Sequence, residues 1–250
     1  MKSYLTIILI IVIGLPVSSQ ESIPLNRLGL NVEYGISGVA LKDQYISKER
    51  YTGSLQTIGI WYGRLTDRRG WQLGMTNQQG SDLKNHAIRA EFERVSLNFD
   101  QFFQMKTFNL LAKPASWYFG PSVEYFEYEL INRFSSNHKA YSELIMVSMG
   151  INAMLEWDLA NKLTLSAFVR SNVIGVNAKT HDEQRHTDQN SILQTFIKAN
   201  NLNGDLFIRY RVIKRISLGL KGKAQYTRST GWEESQNFVN SILLFAIVHF

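Results

Sequence analysis

The 250-residue chain contains no cysteine and only 4 prolines, and charged residues make up just 19% of it. Without cysteine there is no disulfide framework, no Cys-ligated zinc or iron–sulfur site, no thiol nucleophile and no acylated lipoprotein N-terminus. Long apolar runs are scarce as well. Beyond residue 20 no stretch approaches the roughly 18 residues of a helical membrane span, and a mean hydropathy of −0.16 excludes a polytopic helical membrane protein. The low charge, with 12% aromatic residues, argues against a disordered chain. The balance of charge, +6 with a pI near 9.4, would ordinarily raise nucleic acid as a partner.

The first apolar stretch has a different use. Lys2 precedes an apolar run from Leu5 to Leu15, which Pro16 ends, and Val17 and Ser19 sit where signal peptidase requires small residues. Residues 1–19 are therefore expected to be an export signal cut between Ser19 and Gln20, leaving 20–250 as one exported domain.

The remaining chain alternates in polarity. Leu28, Leu30, Val32, Tyr34 and Ile36 interleave with Gly29, Asn31, Glu33, Gly35 and Ser37, and Ile145 to Trp157 and Ile216 to Tyr226 repeat the pattern. A period of two specifies strands rather than helices. Ten are expected, at 27–41, 51–65, 71–78, 86–105, 116–130, 141–157, 163–178, 192–212, 216–227 and 237–250, although eight or twelve would also fit. Short turns at Thr66–Gly70, Asp158–Lys162 and Ile213–Arg215 alternate with longer connections, as an all-β, antiparallel up-and-down barrel requires. The stretch Lys106–Ala115 breaks that rhythm and is left open as an insertion, a helix or a missed strand pair.

A soluble barrel and a membrane barrel differ in which row is charged. A transmembrane barrel turns apolar residues to lipid and polar ones to its lumen. The apolar rows here are almost free of charge. The opposite rows carry small residues and ionisable groups of both signs: Glu33, Arg94, Asp100, Glu124, Glu156, Arg170, Asp205, Arg209, Arg211, Lys221 and Lys223. These are expected to form a hydrogen-bonded lumen network. Aromatic residues gather at strand ends. Trp71, Phe103, Trp117, Trp157, Tyr210 and Phe250 fall at the short-turn rim, and Tyr51, Tyr125, Tyr128, Tyr141 and Tyr226 towards the other. Two such levels are what two bilayer interfaces select as an aromatic girdle.

The last eleven residues, NSILLFAIVHF, place Ile242, Leu244, Ala246, Val248 and Phe250 on one face. This resembles the closing strand of Gram-negative outer-membrane β-barrel proteins, whose aromatic last residue and apolar alternation form an assembly signal. The whole chain resembles the small, uncharacterised barrels of Bacteroidota-type outer membranes, including the Gln at the mature start. The resemblance implies an outer-membrane location. It also implies recognition by the barrel-assembly machinery and contact with the lipid bilayer and lipopolysaccharide.

Little in the chain points to chemistry. His86, His138, His181, His186 and His249 show no metal-ligand spacing, since His181 and His186 stand five apart in a polar connection. Outer-membrane proteases place paired acids facing an Asp–His pair. His181, Asp182 and Glu183 approximate half of that, with no second acidic pair at a facing strand end. No strand carries His and Ser two apart, and no phosphate-binding glycine loop is present. The expectation is a non-enzymatic barrel with no cofactor or metal and a narrow or occluded polar lumen, because ten strands enclose little space. Its structural, adhesive or accessory role would lie in its long connections, with an envelope protein as a potential partner. The alternatives are an outer-membrane enzyme or narrow channel, and a soluble periplasmic lipocalin-like barrel for a small apolar ligand. The basic surplus gathers at Arg68, Arg69, Lys106, Lys113, Lys162, Lys214 and Arg215 on the short-turn side, where inner-leaflet phosphates, not nucleic acid, would meet it.

Overall fold

The computed structural model describes residues 27–44, 47–66, 68–86, 88–135, 138–182, 190–195, 199–230 and 234–250; the export signal and its cleavage site lie outside them. The described residues form eleven strands: β1 (Arg27–Asp43), β2 (Ser47–Leu65), β3 (Arg69–Lys84), β4 (Arg89–Leu110), β5 (Lys113–Ser135), β6 (His138–Ala160), β7 (Leu163–Asp182), β8 (Asn190–Thr195), β9 (Ala199–Ile213), β10 (Ile216–Thr230) and β11 (Glu234–His249). All pair antiparallel. β8 and β9 both lie along β7, against Ile174–Lys179 and Leu163–Ser171 respectively, so they share one of ten positions in the wall. β6 pairs with β7 and β1 with β11, which closes the sheet into an up-and-down barrel. Closure matters because lipid offers no partner for an unpaired strand edge.

The outer surface decides between lipid and water. β6 presents Ile151, Met149 and Val147 outward, at 45%, 60% and 49% exposure, while Ser148 and Asn152 beside them are buried. The same apolar belt continues through Ile58 and Ile60 on β2, Leu97 and Phe99 on β4, Leu206 and Ile208 on β9, and Ile242 and Leu244 on β11. A continuous exposed ring of this kind is tolerated only in a bilayer. The soluble lipocalin-like alternative is thereby overturned. One irregularity sits within the belt: a β-bulge in β7 turns both Val173 and Ile174 outward.

Four expectations are corrected. The stretch Lys106–Ala115 is neither insertion nor helix; β4 and β5 run through it and meet at Leu111–Ala112, two residues with φ of 50° and 61°. This is a two-residue turn with both residues left-handed, built without the Asn or Gly that normally signals one. The supposed long connections are also mostly strand, because β1 reaches Asp43, β3 reaches Lys84, and β5 and β6 extend to Ser135 and His138. There the pattern inverts: Leu41, Tyr51, Leu83, Phe92, Phe126, Leu130 and Leu144 are buried inside the barrel, and charged residues such as Glu91 and Glu93 face outward. Polar outer residues made a wall standing in water resemble loops. Third, the strand expected at 192–212 is divided between β8 and β9. Fourth, Tyr51 and Tyr128, expected at the outer aromatic level, point into the interior and are fully buried.

Candidate functional site: a charged belt between two apolar clusters

Strand register brings the lumen row together at mid-height. Arg170 on β7 faces Asp100 on β4 across the barrel. Its Nε and Nη2 donate to the two carboxylate oxygens at 2.9 and 2.6 Å, and Nη1 donates to Asn98 Oδ1 at 2.6 Å. A guanidinium is a planar fork that matches a carboxylate in this way. Gln72 Nε2 and Asn152 Nδ2 also donate to Asp100, at 2.9 and 3.4 Å. The Phe168 ring lies 5.3 Å beneath the guanidinium.

Lys221 on β10 donates to Glu33 on β1 and lies 3.6 Å from Asp205 on β9. Arg94 and Glu124, both buried, stand 4.0 Å apart. Asn201 Nδ2 donates to Glu124 at 2.5 Å, and Arg94 Nη1 donates to Thr227 Oγ1 at 3.3 Å. Arg209 meets Glu156 at 3.3 Å nearer the short-turn end, where Arg211 continues the same row. Lys223 is buried one step above Lys221. Amides and hydroxyls add to these charges. Asn98, Asn152, Asn201 and Thr227 occupy the same inward row, and that row is their only signal. The seam has its own network, in which Ser37 on β1 bonds Thr57 on β2 and, at 2.6 Å, Ser241 on β11.

Apolar side chains lie on both sides of this belt. Towards the long-connection end the cluster includes Leu41, Tyr51, Phe92, Phe126, Leu130 and Leu144. Asn132 Nδ2 donates to Tyr51 Oη at 2.7 Å within it, and Ser142 donates to Asp43 at 3.0 Å. Towards the short-turn end lie Phe102, Tyr118, Met154 and Phe168, with Leu65 and Phe207 against them. The belt is thus an ionic layer enclosed by hydrocarbon.

The closing strand β11 turns Ile242, Leu244, Ala246 and Val248 outward; just beyond it Phe250 is exposed, and its N donates to Leu28 O at 3.0 Å. His249 points inward, with Nε2 3.0 Å from Ser217 Oγ. The candidate acidic and imidazole groups around His181 are not brought into a described site; the side chains of His138, His181 and Asp182, and all of Glu183 and His186, lie outside the described residues. The structure instead assembles acids that sequence spacing concealed. Glu93, Glu129 and Glu143 stand directly opposite one another on β4, β5 and β6, on the outer face just above the apolar belt. Glu127, Glu129 and Glu143 bring carboxylate oxygens within 4.8 Å of one another. Tyr125 Oη donates to Glu127 at 2.6 Å and Tyr141 Oη to Glu129 at 3.4 Å. Partial burial, followed by hydrogen bonding and repulsion from Glu127, raises the Glu143 carboxyl above its ordinary range.

A closed, all-antiparallel up-and-down barrel with an apolar belt outside and a paired ionic lumen defines an integral β-barrel of the bacterial outer membrane. No protein-family model and no curated protein matches the chain. Among solved structures it is similar to the outer membrane protease OmpT from Escherichia coli, at 8% identity and a TM-score of 0.60 over 93% of this chain and 99% of that one. It is also similar to the translocator domain of the autotransporter NalP from Neisseria meningitidis, at 11% identity and a TM-score of 0.51 over 100% and 95%. At such identities the likeness is one of fold.

Proposed function

We propose that the protein is a non-conducting, non-catalytic outer-membrane barrel whose role is carried by the part of its wall standing above the outer leaflet. That role is structural, adhesive or accessory to another envelope complex. The observation that carries this reading is the interior: an ion-paired belt with apolar clusters on both sides, a filling that supports an occluded lumen. The charged outer face of β4–β6 supports a surface role, since its half-buried acids gather above the apolar belt, with Glu91, Glu93 and Glu129 lining a hollow in that face. In this reading the belt is flanked by aromatic levels at the two bilayer interfaces, its upper edge meets lipopolysaccharide, and Phe250 with the outward row of β11 recruits the barrel-assembly machinery. The kinship with small Bacteroidota-type barrels belongs to the same proposal.

The test is reconstitution in planar bilayers. The intact barrel should give no unitary conductance steps, whereas trimming the upper cluster with Phe126→Ala, Leu130→Ala and Leu144→Ala together should introduce them. Steps from the intact barrel, with selectivity reversed by Arg170→Glu or Lys221→Glu, would establish the narrow channel instead.

A further inference from the structure

The short-turn end of the lumen contains a cavity of about 150 Å³, lined mainly by apolar side chains. Trp61, Phe102, Phe168, Phe207 and Phe245 supply aromatic walls. Phe207 and Phe245 meet edge to face at 6.1 Å, as do Phe102 and Phe168. Trp61 is fixed in place by Gly74, across which its ring lies so closely that a Cβ there would fall 1.9 Å from the ring. Gly29 and Gly63, which stand opposite each other on β1 and β2, line the cavity and put no side chain into it.

Buried polar atoms of the lining residues that have no hydrogen-bond partner include Trp61 Nε1, a donor, and Asn31 Oδ1 and Asp205 Oδ1, acceptors. Trp61 is 8% exposed, and so is the Asp205 side chain. The other functional atom of each acid or amide is occupied. Asn31 Nδ2 donates to Glu33 at 2.9 Å, and Asp205 Oδ2 faces Lys221 at 3.6 Å. Buried polar groups without partners are costly, so a pocket that keeps such atoms beside aromatic walls is matched to a molecule that satisfies them.

We propose that this cavity binds a compact aromatic ring bearing a hydrogen-bond donor, of the phenol or aromatic-amine class, entering from the short-turn rim. A void of about 150 Å³ accommodates a benzene-sized body. The aromatic walls receive the ring edge to face, and Asp205 Oδ1 and Asn31 Oδ1 accept from the ligand's O–H or N–H. Trp61 Nε1 donates to the ligand's heteroatom. Of the cations that also line the cavity, Lys221 is held by Glu33 and Arg209 by Glu156, so an anionic ring would meet the unpaired oxygen of Asp205 and is disfavoured. A ring without a donor leaves both acceptors unpaired.

The experiment is a titration of the whole barrel, folded in lipid nanodiscs, with phenol, toluene and benzoate, followed by the indole N–H resonances in heteronuclear NMR. The Trp61 signal is identified by its loss in Trp61→Phe. Phenol should shift it saturably, leave the outward Trp117 and Trp157 signals in place, and bind at least tenfold more tightly than toluene or benzoate. Asp205→Asn and Asn31→Ala, each first shown to fold by heat-modifiable gel migration, should each weaken phenol binding about tenfold. Equal affinity for phenol and toluene would overturn the proposal, as would unaltered binding in both variants. A Trp61 shift that never saturates, or that Trp117 and Trp157 share, would mean solvent in the cavity and partition into lipid only.

Discussion

At the scale of single residues, the charges of the barrel divide into lumen groups held by several partners and outer-wall groups placed against like charge. Asp100 accepts from Arg170, Gln72 and Asn152, so removing it strands a buried guanidinium. Breaking one side of such a pair costs about 3–5 kcal/mol. Asp100→Ala should lower the urea midpoint of the refolded barrel accordingly, whereas Arg170→Met with Asp100→Leu should recover much of the loss. Glu143 is the opposite case, since it stands directly against Glu129. Its carboxyl is held above the ordinary range, so the folded state binds the proton more tightly than the unfolded chain. Stability from this group is therefore full below the unfolded-state pKa and lost as pH rises through the folded-state value. Glu143→Gln should flatten that pH dependence and stabilise the barrel at neutral pH by roughly 0.2–1 kcal/mol, less at high salt. Urea titrations at pH 4.5 and 7.5 would check both the sign and the size.

At the scale of elements, the β4–β5 turn is the informative case. A bulge between Gln104 and Lys106 interrupts its alternation, and Leu111 and Ala112 carry no turn chemistry, so the sequence reads as a connection of unknown kind. Each residue is held at positive φ, which costs an ordinary side chain about 1–2 kcal/mol. Leu111→Asn with Ala112→Gly should raise the thermal midpoint by an amount equivalent to about 1–2 kcal/mol, measured by heat-modifiable gel migration. The strands β1, β3, β5 and β6 show the converse problem. In the sequence their ends look like loops because outward residues above the bilayer are polar and the apolar residues point inward. Period-two alternation survives that inversion, but a reading that equates an apolar outer row with strand stops where the lipid stops.

At the scale of the whole molecule, the outer surface divides into a lipid belt and a water-facing wall, with the boundary between Ile145 and Glu143 on β6 and between Tyr125 and Glu127 on β5. Ile151 lies near the middle of the belt and Gln56 at its upper edge. A cationic residue at the midplane of a barrel costs about 2–4 kcal/mol, and near an interface about 0–1 kcal/mol. Ile151→Arg should therefore destabilise the barrel in phospholipid bilayers by the larger amount and Gln56→Arg by the smaller. Equal costs would move the membrane boundary.

What the amino-acid order determined by itself was the class: strand period, the polarity of each row, the eleven lumen charges and the outward row ending in Phe250. All of these depend only on the alternation of side chains along an extended chain. Which charge meets which was decided by tertiary structure. Arg170 and Asp100 lie seventy residues apart, and Lys221 and Glu33 lie 188 apart, joined across a lumen whose width and stagger exist only once β1 has closed on β11. The register of β4, β5 and β6 set three glutamates opposite one another on the outer wall, and closure turned two apolar clusters and an aromatic cavity inward. Register is a relation between strands, and no single strand encodes it.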